Sequence, residues 1–242
     1  MPLNPLISVG AFFHMREDGA SFLGTCFPFR DENHFLTAAH CVGKLSPSAV
    51  AIGIPVDVHA GPIEVSEILL HPTADIAVLR TPKVAEGAVT PFWDYVSNYT
   101  YGEEFLSFGH PEDIFGPSAR QPTARLFRGH FQRILEHNSH LGYAYVAAEL
   151  NIGCPAGLSG GPVFRPGATV MLTGIVTENL ESMTMLHSVE EIQQDGAIVR
   201  ERYHNVINYG VALLLDRVGD WLNGIVPPLD SGRLAAIARR GA

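Results

Sequence analysis

The chain has 242 residues, enough for one large domain or two small ones with a substantial core. Its 24 glycines and 17 prolines make up about 17% of the chain, against roughly 12% in average usage, while only 17% of residues are charged, against about 25% typically. This profile excludes disorder, a coiled coil or long-helix bundle, and collagen, and the net charge of -9 argues against a nucleic-acid surface.

In chain order, short apolar or alternating runs predict strands at Leu6–Phe13, Ser21–Phe29, His34–Ala38, Ala49–Ile54, Ile63–Leu70 and Ile76–Leu79. Further strands are expected at Glu104–Gly109, Ala124–Ile134, Tyr143–Glu149, Pro162–Phe164, Val170–Thr177 and Tyr209–Leu213. Turn residues bound most of them, among them Gly19, Gly61-Pro62, Gly87, Gly116-Pro117, Gly161-Pro162 and Pro166-Gly167. This cadence fits antiparallel barrels or sandwiches rather than βαβ repeats. Leu214, Val218, Trp221 and Leu222 form one apolar helical face that stops at Asn223-Gly224 and Pro227-Pro228. Leu234 and Ile237 make a second short pattern in a tail that reads as a frayed terminus or a docking helix. The least structured stretches are Asp94–Tyr101, Pro111–Pro122 and Leu180–Asn208.

Three cysteines are too few for a disulfide scaffold. The start, MPLNPLISVGAFFHM, lacks the cationic lead and cleavage site of a secretory leader, and no apolar run reaches the ~18–20 residues of a membrane helix. The expectation is a cytoplasmic protein with no membrane contact, in which the sequon Asn98-Tyr99-Thr100 carries no meaning.

Three segments carry chemistry: Phe35–Val42 with His40, His71–Leu79 with Asp75, and Gly157–Phe164 with Ser159. A serine hydroxyl is a poor nucleophile at neutral pH and needs a base within hydrogen-bond reach, which in turn needs a third group to fix its tautomer. Histidine suits the base and a carboxylate the third role. The glycines around Ser159 permit a tight turn whose backbone N–H groups converge on one point, as an oxyanion requires. Singly, each segment also reads as a turn or cap; together, in this order, they do not.

These segments resemble a chymotrypsin-like (trypsin-like) serine peptidase of compact bacterial type. Thr37–Cys41 matches the family's TAAHC block, Asp75–Leu79 its aspartate block, and Gly157–Pro162 its G-x-S-G-G-P block. The spacings, 35 residues from His40 to Asp75 and 84 from Asp75 to Ser159, suit such a member. Gly174–Thr177 and Tyr209–Val211 continue the likeness, so that it covers roughly residues 6–224. The resemblance implies an all-β fold of two packed six-stranded antiparallel β-barrels with a C-terminal helix. It divides the chain into residues 1–96 carrying His and Asp, 97–227 carrying Ser and the substrate pocket, and a tail, 228–242. It implies a serine endopeptidase acting on protein or peptide substrates through an acyl-enzyme, with Ser159 as nucleophile, His40 as base and then acid, and Asp75 orienting it. Gly157 and Ser159 would supply the oxyanion hole, Thr177, Glu178 and Asn179 would pair with the substrate backbone, and Gly153, Cys154 and Gly210 would shape the specificity pocket. No cofactor and no metal are expected, the three Cys and scattered His lacking any CxxC or HxxxH spacing.

The chain departs from the pattern in places. Leu158 stands where the secreted zymogen branch has an aspartate, and no Ile-Val-Gly-Gly start is present, which argues against zymogen activation. The oxyanion loop is then ordered by packing of Leu158 or by a partner. Cys41 matches the family's histidine-loop cysteine, but Cys26 is displaced, so free thiols are expected. No acid lies at the pocket floor; Glu178 and Glu149 are near enough in sequence to supply a charge from elsewhere, but Glu149 reads rather as an exposed strand residue or a loop cap. The roughly 30 residues between Asn179 and Gly210 read as a solvated surface excursion, or as a lid beside the groove. Together these features predict narrow specificity or control by a regulatory protein partner. The alternatives are a catalytically silent pseudoprotease acting as a binding module and an esterase on another fold, the latter disfavoured by the order His, Asp, Ser.

Overall fold

The computed structural model describes residues 5–54, 61–82, 89–97, 99–112, 124–166, 171–192 and 198–230. The tail pattern at Leu234 and Ile237, the turns at Gly87, Gly116-Pro117 and Gly167, and Asn98 of the sequon lie outside the described residues.

Within the two sheets, most strands form where side chains alternate between core and solvent or run apolar for about four residues. The first half contains β1 (Gly10–Arg16), β2 (Gly19–Pro28), β3 (His34–Thr37), β4 (Val50–Gly53), β5 (Ile63–Glu64), β6 (Glu67–Leu70) and β7 (Ala77–Arg80). They make one antiparallel sheet in the order β5-β4-β1-β2-β3-β7-β6, seven strands rather than the expected six. The seventh arises because the single strand expected over Ile63–Leu70 changes partner midway. Glu64 pairs with Ala51 of β4, whereas Glu67 pairs with Arg80 of β7. Between them Val65 donates to Val50 O and Ser66 donates to Arg80 O at 2.8 Å. The two edges of the sheet are therefore consecutive in the chain, and the sheet curls back on itself without a closing ladder among the described residues.

The second half contains β8 (Glu104–Gly109), β9 (Arg125–Asn138), β10 (Ala144–Leu150), β11 (Pro162–Arg165), β12 (Met171–Ile192) and β13 (Ile198–Leu214). These close into a six-stranded barrel, β10-β13-β12-β11-β8-β9. Leu180–Asn208, read from sequence as a little-structured excursion, is instead a two-stranded arm. Here β12 and β13 continue past the barrel with paired residues from Asn179↔Gly210 to Ile192↔Ile198. The expected C-terminal helix is shorter and uses two pitches, a 3₁₀ turn at Leu215–Val218 followed by an α-helix at Gly219–Ile225. No described helix is long and apolar enough to cross a membrane.

The halves share a core. Phe27, Phe29, Leu36, Ile76 and Phe92 pack in one cluster with Phe164, Leu172, Ile175, Leu213 and Leu222. The connecting segment joins both sheets, with Phe92 bridging to Phe29 and Tyr95 to Leu172. A buried arginine fastens the C-terminal helix to this seam. Arg30, at a left-handed φ of 63°, donates to Val226 O at 2.6 Å, to Asn223 Oδ1 at 2.8 Å and to Asp94 Oδ1 at 3.0 Å. Its guanidinium lies over the Phe29 and Tyr95 rings. Removing it leaves the buried Val226 carbonyl without its charged donor, so Arg30→Leu is expected to lose about 2–3 kcal/mol in urea unfolding. Arg30→Lys should recover part of that loss, because one ammonium cannot span three acceptors.

Candidate active site

His40 and Asp75 come together across the first sheet. His40 lies on a short helical turn, Ala39–Val42, directly after β3, and Asp75 in the bend before β7. Asp75 is 1% exposed, and a carboxylate that deep needs partners. It accepts from the His40 backbone N–H at 2.8 Å, and its other oxygen meets His40 Nδ1 at 2.7 Å. One residue thus satisfies both oxygens, and the contact fixes the imidazole with Nε2 outward. The bend is held by His71, whose Nδ1 accepts from Ala74 N at 2.8 Å, and by Ala144 of the second half, which donates to Thr73 O at 2.8 Å. Burial pushes the His71 imidazole down, towards the neutral form that can accept.

The Ser159 turn reaches this site from the second barrel. Gly157 and Gly160 adopt φ of +85° and +84°, where a side chain is strained. A Cβ on Gly160 would collide with Thr25 O and Thr37 Oγ1, so the turn touches the backbone just ahead of the His40 segment. Leu158 is fully buried, its Cδ1 against Gly109 and Gly161, which orders the turn by packing. The backbone N–H groups of Gly157 and Ser159 have no acceptor among the described residues.

The residue that aligns the two halves is Thr25 of β2, which carries no sequence motif. Its N–H donates to Ser159 O at 2.9 Å and its hydroxyl to Gly157 O at 2.8 Å. That hydroxyl accepts from His110 N at 3.0 Å, and its carbonyl accepts from Thr37 Oγ1 at 2.9 Å. Sequence reasoning had no signal for this role beyond the adjacent Gly24, where a Cβ would lie 2.9 Å from Ser159 O and 3.1 Å from Cys41 Sγ.

Ser159 Oγ donates to Thr177 O at 3.1 Å, while His40 Nε2 faces Cys41 Sγ at 3.4 Å. Burial opposes charge on His40, but the bond to Asp75, the Cys41 contact and the charges of both hold its pKa up, at about 10. Below the ordinary value near 6.5 this shift contributes its full stability, which is lost as pH rises through about 10. Cys26, Cys41 and Cys154 are all free.

The expected substrate-binding residues share one wall. A β-bulge at Thr177 turns its carbonyl to Ser159 and its hydroxyl to Val211 O and Tyr145 OH. Asn179 clamps Cys154, accepting from its N–H at 2.7 Å and donating to its carbonyl at 2.6 Å. Gly210 donates to Ile152 O at 2.6 Å and leaves room for Cys154 Sγ, while Gly153 abuts Asn208 Cβ. The Cys154 thiol is pushed up to about 12 by burial. Glu178 is held in place by His137 and, at 3.2 Å, by His140. Burial works against its charge, but bonds from His137 and Ser139 and both imidazoles keep the carboxyl below its usual range. Glu149 is buried and paired with Arg133 at 2.7 Å, not the exposed or capping residue expected. Among the described residues no group of His, Cys, Asp and Glu is arranged to hold a metal ion.

Such a sheet pair, with a His–Asp contact from one half and a glycine-flanked serine from the other, defines a chymotrypsin-like peptidase domain. Residues 24–172 match the model of the trypsin-like peptidase domain, and the chain belongs to that family, a serine endopeptidase family. No curated protein is similar enough in sequence to match. Among solved structures, the MamO protease domain from Magnetospirillum magneticum (apo form) superposes with a TM-score of 0.63 at 12% identity, covering 90% of this chain and 97% of that one. The active form of the Rv3671c protease from M. tuberculosis gives 0.59 at 17% identity, covering 90% and 80%. The HtrA-type protease AlgW with a tripeptide gives 0.61 at 15% identity, covering 93% of this chain and 61% of that one. At these identities the likeness is one of fold.

Replacing Thr25 by valine keeps its shape and deletes the bonds to Gly157 O and His110 N. Thr25→Val is expected to cost about 1–3 kcal/mol in thermal unfolding and, by loosening the turn, to lower kcat/KM about tenfold or more against a peptide substrate.

Proposed function

We propose that the chain hydrolyses peptide bonds through Ser159, His40 and Asp75. The observation that carries this reading is the buried Asp75 bound twice by His40, beside a serine turn with two N–H groups that have no acceptor among the described residues. Ser159 Oγ leaves Thr177 O and attacks the substrate carbonyl carbon while its proton passes to His40 Nε2. The carbonyl oxygen takes the negative charge against the N–H groups of Gly157 and Ser159. Collapse breaks the C–N bond, and the departing amine takes the proton from His40. Water, deprotonated by His40, then attacks the acyl-Ser159 and releases a carboxylic acid and free serine.

A wall of Gly153, Cys154 and Gly210, with Glu178 already paired, favours a neutral side chain before the scissile bond over Arg or Lys. The resting contacts, Ser159 on Thr177 and Cys41 on His40, fit an enzyme whose base and nucleophile engage only when substrate or a partner protein displaces them. Three free thiols fit a reducing compartment such as the cytoplasm.

Fluorophosphonate labelling tests the nucleophile. Ser159 is expected to label and Ser159→Ala not to; absent labelling with the turn intact would assign the fold to a binding module. Peptide-library cleavage read by mass spectrometry, with the same control, identifies the preferred sequence. The Cys41 contact has its own signature. With the His40 pKa at about 10, the acid limb of kcat/KM should extend into alkaline pH, because only neutral imidazole accepts the serine proton. Cys41→Ala removes one of the causes of that shift, so the limb should move to lower pH and activity at neutral pH should rise.

A further inference from the structure

Strand β12 has two edges with different fates. On one side it pairs with β13 as far as Ile192. On the other its ladder with β11 ends at Ile175, opposite Pro162, and among the described residues no strand takes over beyond it. This open edge begins beside the nucleophile, where Thr177 O receives Ser159 Oγ, and runs outward through Glu190. From Asn179 to Glu190 it offers a dozen residues, about 40 Å at roughly 3.4 Å each, with N–H and C=O groups presented at every second residue on either side of the bulge at Leu186.

A bulge at Leu186 and the carboxylates of Glu181 and Glu190 interrupt the edge, yet between them it stays largely apolar. Met183, Met185, Leu186 and Val189 stand out from it, 45–66% exposed. A two-stranded ribbon with no layer packed against it is marginally stable in water, and a third strand supplies what is missing. A strand added antiparallel to β12 has its C-terminal end at Ser159 and its N-terminal part along the arm.

We propose that the arm is an extended subsite. The polypeptide substrate, for some six to ten residues before the scissile bond, adds as a third strand to the open edge of β12 between Asn179 and Glu190. The inference rests on Ser159 being the nucleophile and deepens it by naming the substrate class, an unfolded, apolar, β-prone, proline-poor segment rather than a short loop. A second copy of the chain pairing through the same edge would cover the approach to Ser159, and the continuity of edge and nucleophile favours the substrate.

The test uses peptides sharing one cleaved sequence, with four, seven or ten residues before the scissile bond. From four to ten, kcat/KM is expected to rise about tenfold or more, since each added backbone pair contributes a modest net stabilisation. N-methylation at alternate positions from the fifth residue outward should erase the gain, and at the intervening positions it should not. Replacing residues 182–207 with an Asn-Gly turn should bring the ratio of long-peptide to short-peptide kcat/KM to about one. A ratio near one in the intact chain, or a gain indifferent to N-methylation, overturns the proposal. So does a dimer in sedimentation equilibrium that the shortened arm dissolves. Affinities of the same peptides for Ser159→Ala, measured by calorimetry, should follow the same length dependence. They decide the subsite even if no peptide is cleaved, so failure of the catalytic reading stays distinguishable from failure of this one.

Discussion

The geometry of the cleft depends on one fully buried threonine. Thr25 uses its N–H, its hydroxyl and its carbonyl to join the Ser159 turn, the His110 backbone and the β3 end that leads to His40. Ser159 and His40 belong to different sheets, and in the proposed mechanism a shift of one ångström between sheets would separate the nucleophile from its base. Gly160 makes this closeness possible, because any side chain there would meet Thr25 O and Thr37 Oγ1. The clamp needs both halves to be folded. The shared core and the Arg30 contacts to the C-terminal helix make the halves one packing unit rather than two bodies that happen to touch.

On that frame, the electrostatics of the site are set by burial. Asp75 is shielded from bulk solvent, and it is held by two bonds to His40, whose imidazole gains affinity for a proton as a result. In the proposed mechanism a base held so firmly in its charged form is a poor acceptor at neutral pH. The sulfur of Cys41 adds to the same effect from the side where the serine proton must arrive. Ser159 meanwhile donates to the Thr177 carbonyl, on the strand along which substrate is proposed to lie. A peptide pairing with that strand competes for the backbone there, and this couples binding to release of the hydroxyl.

The strands and the three motif segments were legible because they are local. Alternation and apolar runs located nearly every strand to within a few residues, and the blocks around His40, Asp75 and Ser159 carry their spacing in the chain. Partner choice was not legible. Nothing in Ile63–Leu70 says that Glu64 faces β4 and Glu67 faces β7, since that depends on how far the sheet curls. Glu149 looked exposed because its partner, Arg133, lies on the neighbouring strand. The roles of Thr25 and His71 are illegible for the same reason, being contacts across the fold rather than patterns along it. The arm at Leu180–Asn208 escaped because its two strands contain exposed apolar residues without a core to impose alternation.

That arm follows from the topology of the cleft itself. In the barrel, β12 has β11 on one side and β13 on the other, and the open edge appears where β11 turns back towards the serine. Any lengthening of the β12–β13 hairpin therefore extends the strand that borders the nucleophile, with no change to the barrel's register. Lengthening another hairpin of the barrel would enlarge the surface but leave the cleft as it was. The many exposed apolar side chains on β12 and β13 would be a liability on a free edge, and they become intelligible where a third strand is regularly added. With the proposed subsite, such a peptidase would select its substrates by the capacity of a long segment to become a strand, and a neutral pocket at the scissile bond would then be sufficient.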